Sequence, residues 1–111
     1  MSPERKLAGP VLRSGEVALA AIDAIKEDNQ GKDVIIVDHG AYIRIEAEGG
    51  LVLTRETMEA CLGRPFAVRE IEVALIGFSG QIELEPERVR WFFKSEQGNG
   101  GDGAIASPPL S

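Results

Sequence analysis

Most of the residues that carry chemistry are scarce in this chain. Of 111 residues, one is cysteine (Cys61), one histidine (His39), one tryptophan (Trp91) and one tyrosine (Tyr42). A lone cysteine forms no internal disulfide, and one cysteine with one histidine assembles no ligand set at zinc spacing. That usage points to a reducing, cytoplasmic setting. Basic residues are outnumbered, twelve Lys and Arg against eighteen Asp and Glu, for a formal net charge of -6. With no Lys/Arg cluster along the chain, binding to a nucleic-acid backbone or an anionic membrane is disfavoured. No apolar run approaches bilayer-spanning length, and none follows Glu4-Arg5-Lys6 as a leader would require. Gly98, Gly100, Gly101 and Gly103 lack both the strand-to-helix setting and the lysine of a phosphate loop.

What is present is enough for one domain. At 43% hydrophobic content and this length the chain can bury one modest core, with no room for a second catalytic domain. The clearest pattern lies in Ala41 to Glu48, where Ala41, Ile43, Ile45 and Ala47 alternate with Tyr42, Arg44, Glu46 and Glu48. A period of two marks a strand with one buried and one wet face. It follows Val34-Ile35-Ile36-Val37 across Asp38-His39-Gly40, so the two runs read as a hairpin on which the rest packs.

Upstream, residues 1–8 are expected to be a mobile tail, and Gly9-Pro10-Val11-Leu12-Arg13 an edge strand, because Pro10 has no amide hydrogen to donate. Ser14 ahead of Glu16 is a helix N-cap signal. The helix it opens should turn Val17, Ala18, Ala21, Ile22 and Ile25 inward and stop at Asp28-Asn29-Gln30-Gly31-Lys32. Downstream, Leu51-Val52-Leu53 reads as a strand. Thr54 caps a short helix with Met58, Cys61 and Leu62 inward, ended by Gly63 and Pro65. Val68 to Gly77 fits either period. The spacing of Val68, Ile71, Leu75 and Phe78 favours a helix ending near Gly77. Gln81 to Leu84 and Val89 to Phe93 form a terminal hairpin, and Ser95 to Ser111 should be disordered. These elements make a single compact α+β domain over residues 9–94, strand-helix-strand-strand followed by strand-helix-helix-strand-strand.

Catalytic constellations are weak. His39 beside Asp38 has the form of an oriented general base, with Ser14, Ser79 or Cys61 as the available nucleophiles. None of them sits in a supporting motif, and Asp38-His39-Gly40 reads more simply as a hairpin turn. Cys61 reads as a small core residue. Glu46 with Glu48, and Glu83 with Glu85, read as solvated strand faces rather than acid/base or magnesium pairs. In Trp91-Phe92-Phe93 at least one aromatic side belongs to the core. No catalytic, metal or cofactor-binding residue is assigned.

Gly9-Pro10-Val11-Leu12-Arg13, Asp38-His39-Gly40-Ala41-Tyr42-Ile43-Arg44-Ile45, Leu62-Gly63-Arg64-Pro65-Phe66 and Gly80-Gln81-Ile82 occur here in an order and spacing that resemble one family. It is the small effector, or coupling, proteins of soluble bacterial diiron multicomponent monooxygenases, with the toluene and alkene monooxygenase effectors nearest. The resemblance covers about residues 8–94. It implies a cofactor-free, non-catalytic protein, monomeric when free, whose partner is the diiron hydroxylase. By docking over the buried diiron centre it would tune oxygen activation, coupling, substrate access and regiospecificity. It also implies hydroxylase contacts at Ile76, Gly77, Phe78, Ser79, Gly80 and Gln81, and Tyr42 and Arg44 on the wet side of the alternating strand are further candidate contacts. The alternatives are a small metabolite-binding α+β module and a small enzyme using His39 and Asp38.

Overall fold

The computed structural model describes residues 6–93. The segment expected to be disordered, 95–111, lies outside the described residues, as does most of the expected N-terminal tail. The elements in chain order are β1 (Leu7–Arg13), α1 (Glu16–Asp28), β2 (Ile35–Asp38), β3 (Tyr42–Glu48), β4 (Gly50–Thr54), α2 (Arg55–Leu62), α3 (Arg69–Ala74), β5 (Leu75–Ser79), β6 (Gln81–Leu84) and β7 (Arg88–Phe92). They form two antiparallel sheets, ordered β2-β3-β1-β5 and β4-β7-β6. The α+β class holds, with one strand more than the residue pattern suggested. No helix among the described residues is long and apolar enough to cross a membrane.

The core lies where the two sheets and α1 meet. Leu12, Ile43 and Ile45 come from the first sheet, Leu53, Val89 and Trp91 from the second, and Met58, Phe66 and Ile71 close the sides. The helix α1 contributes Ala18, Ala20, Ala21, Ala24 and Ile25, and this alanine-rich face lets its backbone lie close to its neighbours. Val17 and Ile22 pack only partly against the core.

A polar junction at the end of α1 locks the layers together. The buried Asn29 amide donates to the Ile25 carbonyl at 2.6 Å and the Val52 carbonyl at 2.7 Å, and it accepts the Val52 N–H at 3.0 Å. It thereby completes the β4 backbone as a neighbouring strand would. Asp28 accepts from the Thr54 N–H at 2.8 Å and the Thr57 hydroxyl at 2.7 Å, while Thr54 caps α2 as expected. The turn residues that end the first helix are therefore also its attachment to β4 and α2.

Several expectations are corrected. The first strand begins at Leu7, with Ala8 fully buried, so the ordered chain starts before residue 9. It is not an edge strand, because β3 and β5 flank it. Pro10 is tolerated there because the β1–β3 ladder runs through Leu7↔Glu48 and Ala8↔Ala47 and resumes at Val11↔Arg44, skipping Gly9-Pro10. Gly15 rather than Ser14 is the N-cap of α1, and Ser14 instead donates its hydroxyl to the Gly40 carbonyl at 2.5 Å. Ala41 belongs to the exposed turn, and Cys61 is exposed rather than inward.

The largest correction falls on residues 68–77. The helix stops at Ala74, and Leu75 to Ser79 is strand. Pairing with β1 supplies hydrogen bonds and packs the half-buried Leu75 opposite Leu12, so tertiary context overrides a spacing that suits either structure.

Candidate functional site

The added strand reorganises the residues expected to make contacts. Its register places Gly77 opposite Val11 and Leu75 opposite Leu12, leaving Ile76 as an extra, unpaired residue in β5. Such a bulge bends the strand and redirects side chains. Ile76 is 53% exposed and Phe78 45% exposed, and Val73 at the end of α3 is 76% exposed. Exposed apolar side chains along an open sheet edge are a usual mark of a protein-binding surface.

The cross-strand register also aligns residues distant in sequence. Tyr42 lies opposite Arg13, Arg44 opposite Val11, and Val11 opposite Gly77, so these share one side of the first sheet, where Val11 is buried and Tyr42, Arg44 and Gly77 are half-buried. Ser79, opposite Gly9, belongs to the same side. The structure therefore brings Tyr42, Arg44, Gly77 and Ser79 onto one face, while Phe78, opposite Pro10, takes the other side of the edge strand β5 and Ile76 is its bulged residue. Gly80 and Gln81 lie at its corner, where the chain leaves the first sheet and enters β6 of the second.

Two glycines of this segment differ physically. Gly80 has φ +85°, and a Cβ there would lie 2.7 Å from the Phe92 carbonyl oxygen and 2.9 Å from the Ala8 Cβ. It is required by this chain's own corner. Gly77 faces open space, with nothing within 4 Å of a Cβ built on it. Nothing within the described fold demands glycine at position 77.

Glu46 departs most from its expected role. The alternation puts it on a wet strand face with Glu48, yet Glu46 is buried while Glu48 is exposed. Its Oε2 accepts from the Ser79 hydroxyl at 2.8 Å and from Arg44 at 3.2 Å. The second pair, Glu83 and Glu85, is divided between Arg90 and Arg88. Among the described residues no group of His, Cys, Asp and Glu is arranged to hold a metal ion.

The His39 constellation does not assemble. The Asp38 carboxylate accepts the Gly40 N–H at 2.8 Å in a local turn, and the His39 ring stacks on Tyr42 at 4.6 Å between centroids. Ser14 and Ser79 direct their hydroxyls to Gly40 and Glu46. Desolvation, followed by the charges of Asp23, Asp28 and Glu27, pushes the Cys61 thiol up from its ordinary pKa, the reverse of nucleophile activation. A groove of about 420 Å³ runs between Phe66, Val68, Leu84 and Pro86, flanked by Arg55, Arg69, Glu72 and Glu85. None of the expected contact residues lines it.

These features define a class: a small α+β protein with a structured outer surface and no assembled catalytic centre among its described residues. The chain belongs to the MmoB/DmpM family, whose model matches residues 6–92. It is 39% identical over 92 residues to the alkene monooxygenase system effector subunit of Xanthobacter autotrophicus (strain ATCC BAA-1158 / Py2), covering 83% of this chain and 91% of that protein. It is 39% identical over 67 residues to the phenol 2-monooxygenase stimulatory component DmpM of Pseudomonas sp. (strain CF600), covering 60% of this chain and 72% of that protein. A chain in the structure of a phenol hydroxylase–regulatory protein complex superposes with a TM-score of 0.70 at 31% identity, covering 79% of this chain and 99% of that one. The soluble methane monooxygenase regulatory protein B shares the fold, with a TM-score of 0.60 at 19% identity over 85% of this chain and 70% of its own.

Sequence reasoning missed the exposed Val73 and the buried carboxylate of Glu46. Gly9 within a strand pattern signals only the close approach of the β3 backbone.

Proposed function

We propose that this protein is the effector subunit of a multicomponent diiron monooxygenase. It binds the hydroxylase and regulates it without catalysing a reaction itself. The observation that carries this reading is the likeness to a chain of the phenol hydroxylase–regulatory protein complex, which spans nearly all of that chain at 31% identity. The effector and stimulatory components among its relatives agree with it. The docking surface is the outer face of the first sheet with its β5 border: Tyr42, Arg44 and Ile76 to Gln81. Its setting is the cytoplasm, a reading that the single cysteine supports.

The mechanism is a shift of population. An effector that binds one hydroxylase conformation more tightly than another moves the equilibrium by that difference, and about 1.4 kcal/mol changes the ratio tenfold. Oxygen activation, coupling, substrate access and regiospecificity then follow the favoured conformation. The protein alone should turn over no hydrocarbon. Added to its hydroxylase with reductase and electron donor, it should change rate, coupling or product distribution. Identical rate and products with and without it would refute the proposal.

A further inference from the structure

Resting on that reading, we infer that Glu46 is the positioning residue of the docking surface: its carboxylate spans the central strand and holds Arg44 and Ser79 in one fixed arrangement. The two partners lie on strands that are not neighbours. β3 and β5 flank β1, so their backbones stand about 9–10 Å apart, two strand spacings. The register sets Ser79 opposite Gly9, and the β1–β3 pairs Leu7↔Glu48 and Ala8↔Ala47 place Glu46 across from Gly9 on the other side. Gly9 admits the close approach of β3 there, since a Cβ on it would lie 1.9 Å from the Ile45 carbonyl oxygen. The glutamate reaches over this gap to Ser79 Oγ at 2.8 Å, and the same oxygen holds Arg44 at 3.2 Å.

The consequence is mechanical. Arg44 belongs to the β3 half of the surface, and Ser79 is the last residue of β5 before the Gly80 corner. One carboxylate, its side chain 10% exposed, ties the two halves. A charge withdrawn from water to that degree is tolerated because both contacts are charge-assisted. A surface held in its binding geometry before encounter loses less ordering entropy on docking, so the tie is expressed as affinity.

The test is a double-mutant cycle on binding to the cognate hydroxylase, with Glu46→Ala, Ser79→Ala and the pair together, alongside Glu46→Gln. Affinity is read at a temperature where circular dichroism shows every variant folded. Each alanine variant should weaken binding about fivefold to tenfold, on the scale of one hydrogen bond's net contribution. The double variant should be no worse than either, and Glu46→Gln should recover most of the loss because its amide oxygen still accepts. Should Glu46→Ala fail to fold, Ser79→Ala cuts the same tie and leaves the Arg44 pair. Wild-type affinity in Glu46→Ala, or in Ser79→Ala if only that variant folds, overturns the inference while wild-type binding keeps the effector reading intact. Additive losses also overturn it, because Ser79 would then act on binding independently of Glu46. Failure of the wild-type protein to bind overturns both readings.

Discussion

Replacing Gly80 with alanine tests the corner on which the docking surface is built. The added Cβ would sit 2.7 Å from the Phe92 carbonyl oxygen and 2.9 Å from the Ala8 Cβ, at φ +85°. Left-handed backbone costs a non-glycine residue about 1–2 kcal/mol, and overpacking against backbone adds about 1–3 kcal/mol. Lower entropy of the unfolded chain offsets about 0.5–1 kcal/mol of this. A net loss of about 2–4 kcal/mol should lower Tm by roughly 10–25 °C for a domain of this size. Buried Trp91, the single tryptophan, reports unfolding through its fluorescence. Gly77→Ala is the matched control, with open space around its Cβ. It should leave Tm within a few degrees while weakening hydroxylase binding. Equal Tm values for wild type and Gly80→Ala would refute the steric reasoning.

Asn29→Ala removes three hydrogen bonds and leaves the Val52 amide and carbonyl without their partner. It should cost about 2–3 kcal/mol, measured by urea denaturation, and a loss under about 0.5 kcal/mol would deny the junction its role. Hydrogen bonds from Arg64, then from the Ala67 N–H, hold the Glu70 carboxyl below its ordinary pKa. A depressed carboxylate contributes stability above its unfolded pKa and loses it as pH falls through the folded value. Arg64→Ala should therefore raise the Glu70 titration midpoint in an NMR pH series and flatten the acid side of the stability curve; an unmoved midpoint would contradict the assignment. The exposed Cys61, its thiol pushed up by desolvation and three acidic neighbours, should react with iodoacetamide at pH 7 more slowly than a free cysteine peptide. Equal rates would contradict that environment.

How far the residues disclose the fold depends on how many periods a segment can satisfy. Ile43, Ile45 and Ala47 have only the strand period open to them, and all three are buried as it requires. Thr54 and Gly63 bound α2 by local chemistry, and the structure keeps both. Residues 68–77 satisfy two periods, and the deciding interaction is pairing with β1, some sixty residues away in sequence. No local pattern contains it. The same holds for the site. The resemblance pointed to Ile76 through Gln81 and to Tyr42 and Arg44, but only the register shows that Arg44, Gly77 and Ser79 share a face. Glu46 was misread because alternation reports which side of a strand a residue takes. It does not report that a carboxylate on that side reaches a hydroxyl on a strand two places away and is withdrawn from water.

The measurement that bears most directly on the account is a titration of the cognate hydroxylase, with affinity and turnover read for three proteins. The wild type should bind and change turnover. The double substitution Ile76→Asp/Phe78→Asp, at two exposed positions of β5, should remain folded and lose at least about thirtyfold in affinity, the scale of one interface hot spot. Leu19→Asp, at an equally exposed position on α1, should match the wild type. If the β5 variant binds and stimulates as the wild type does, or if Leu19→Asp loses as much, the docking surface lies elsewhere on the molecule.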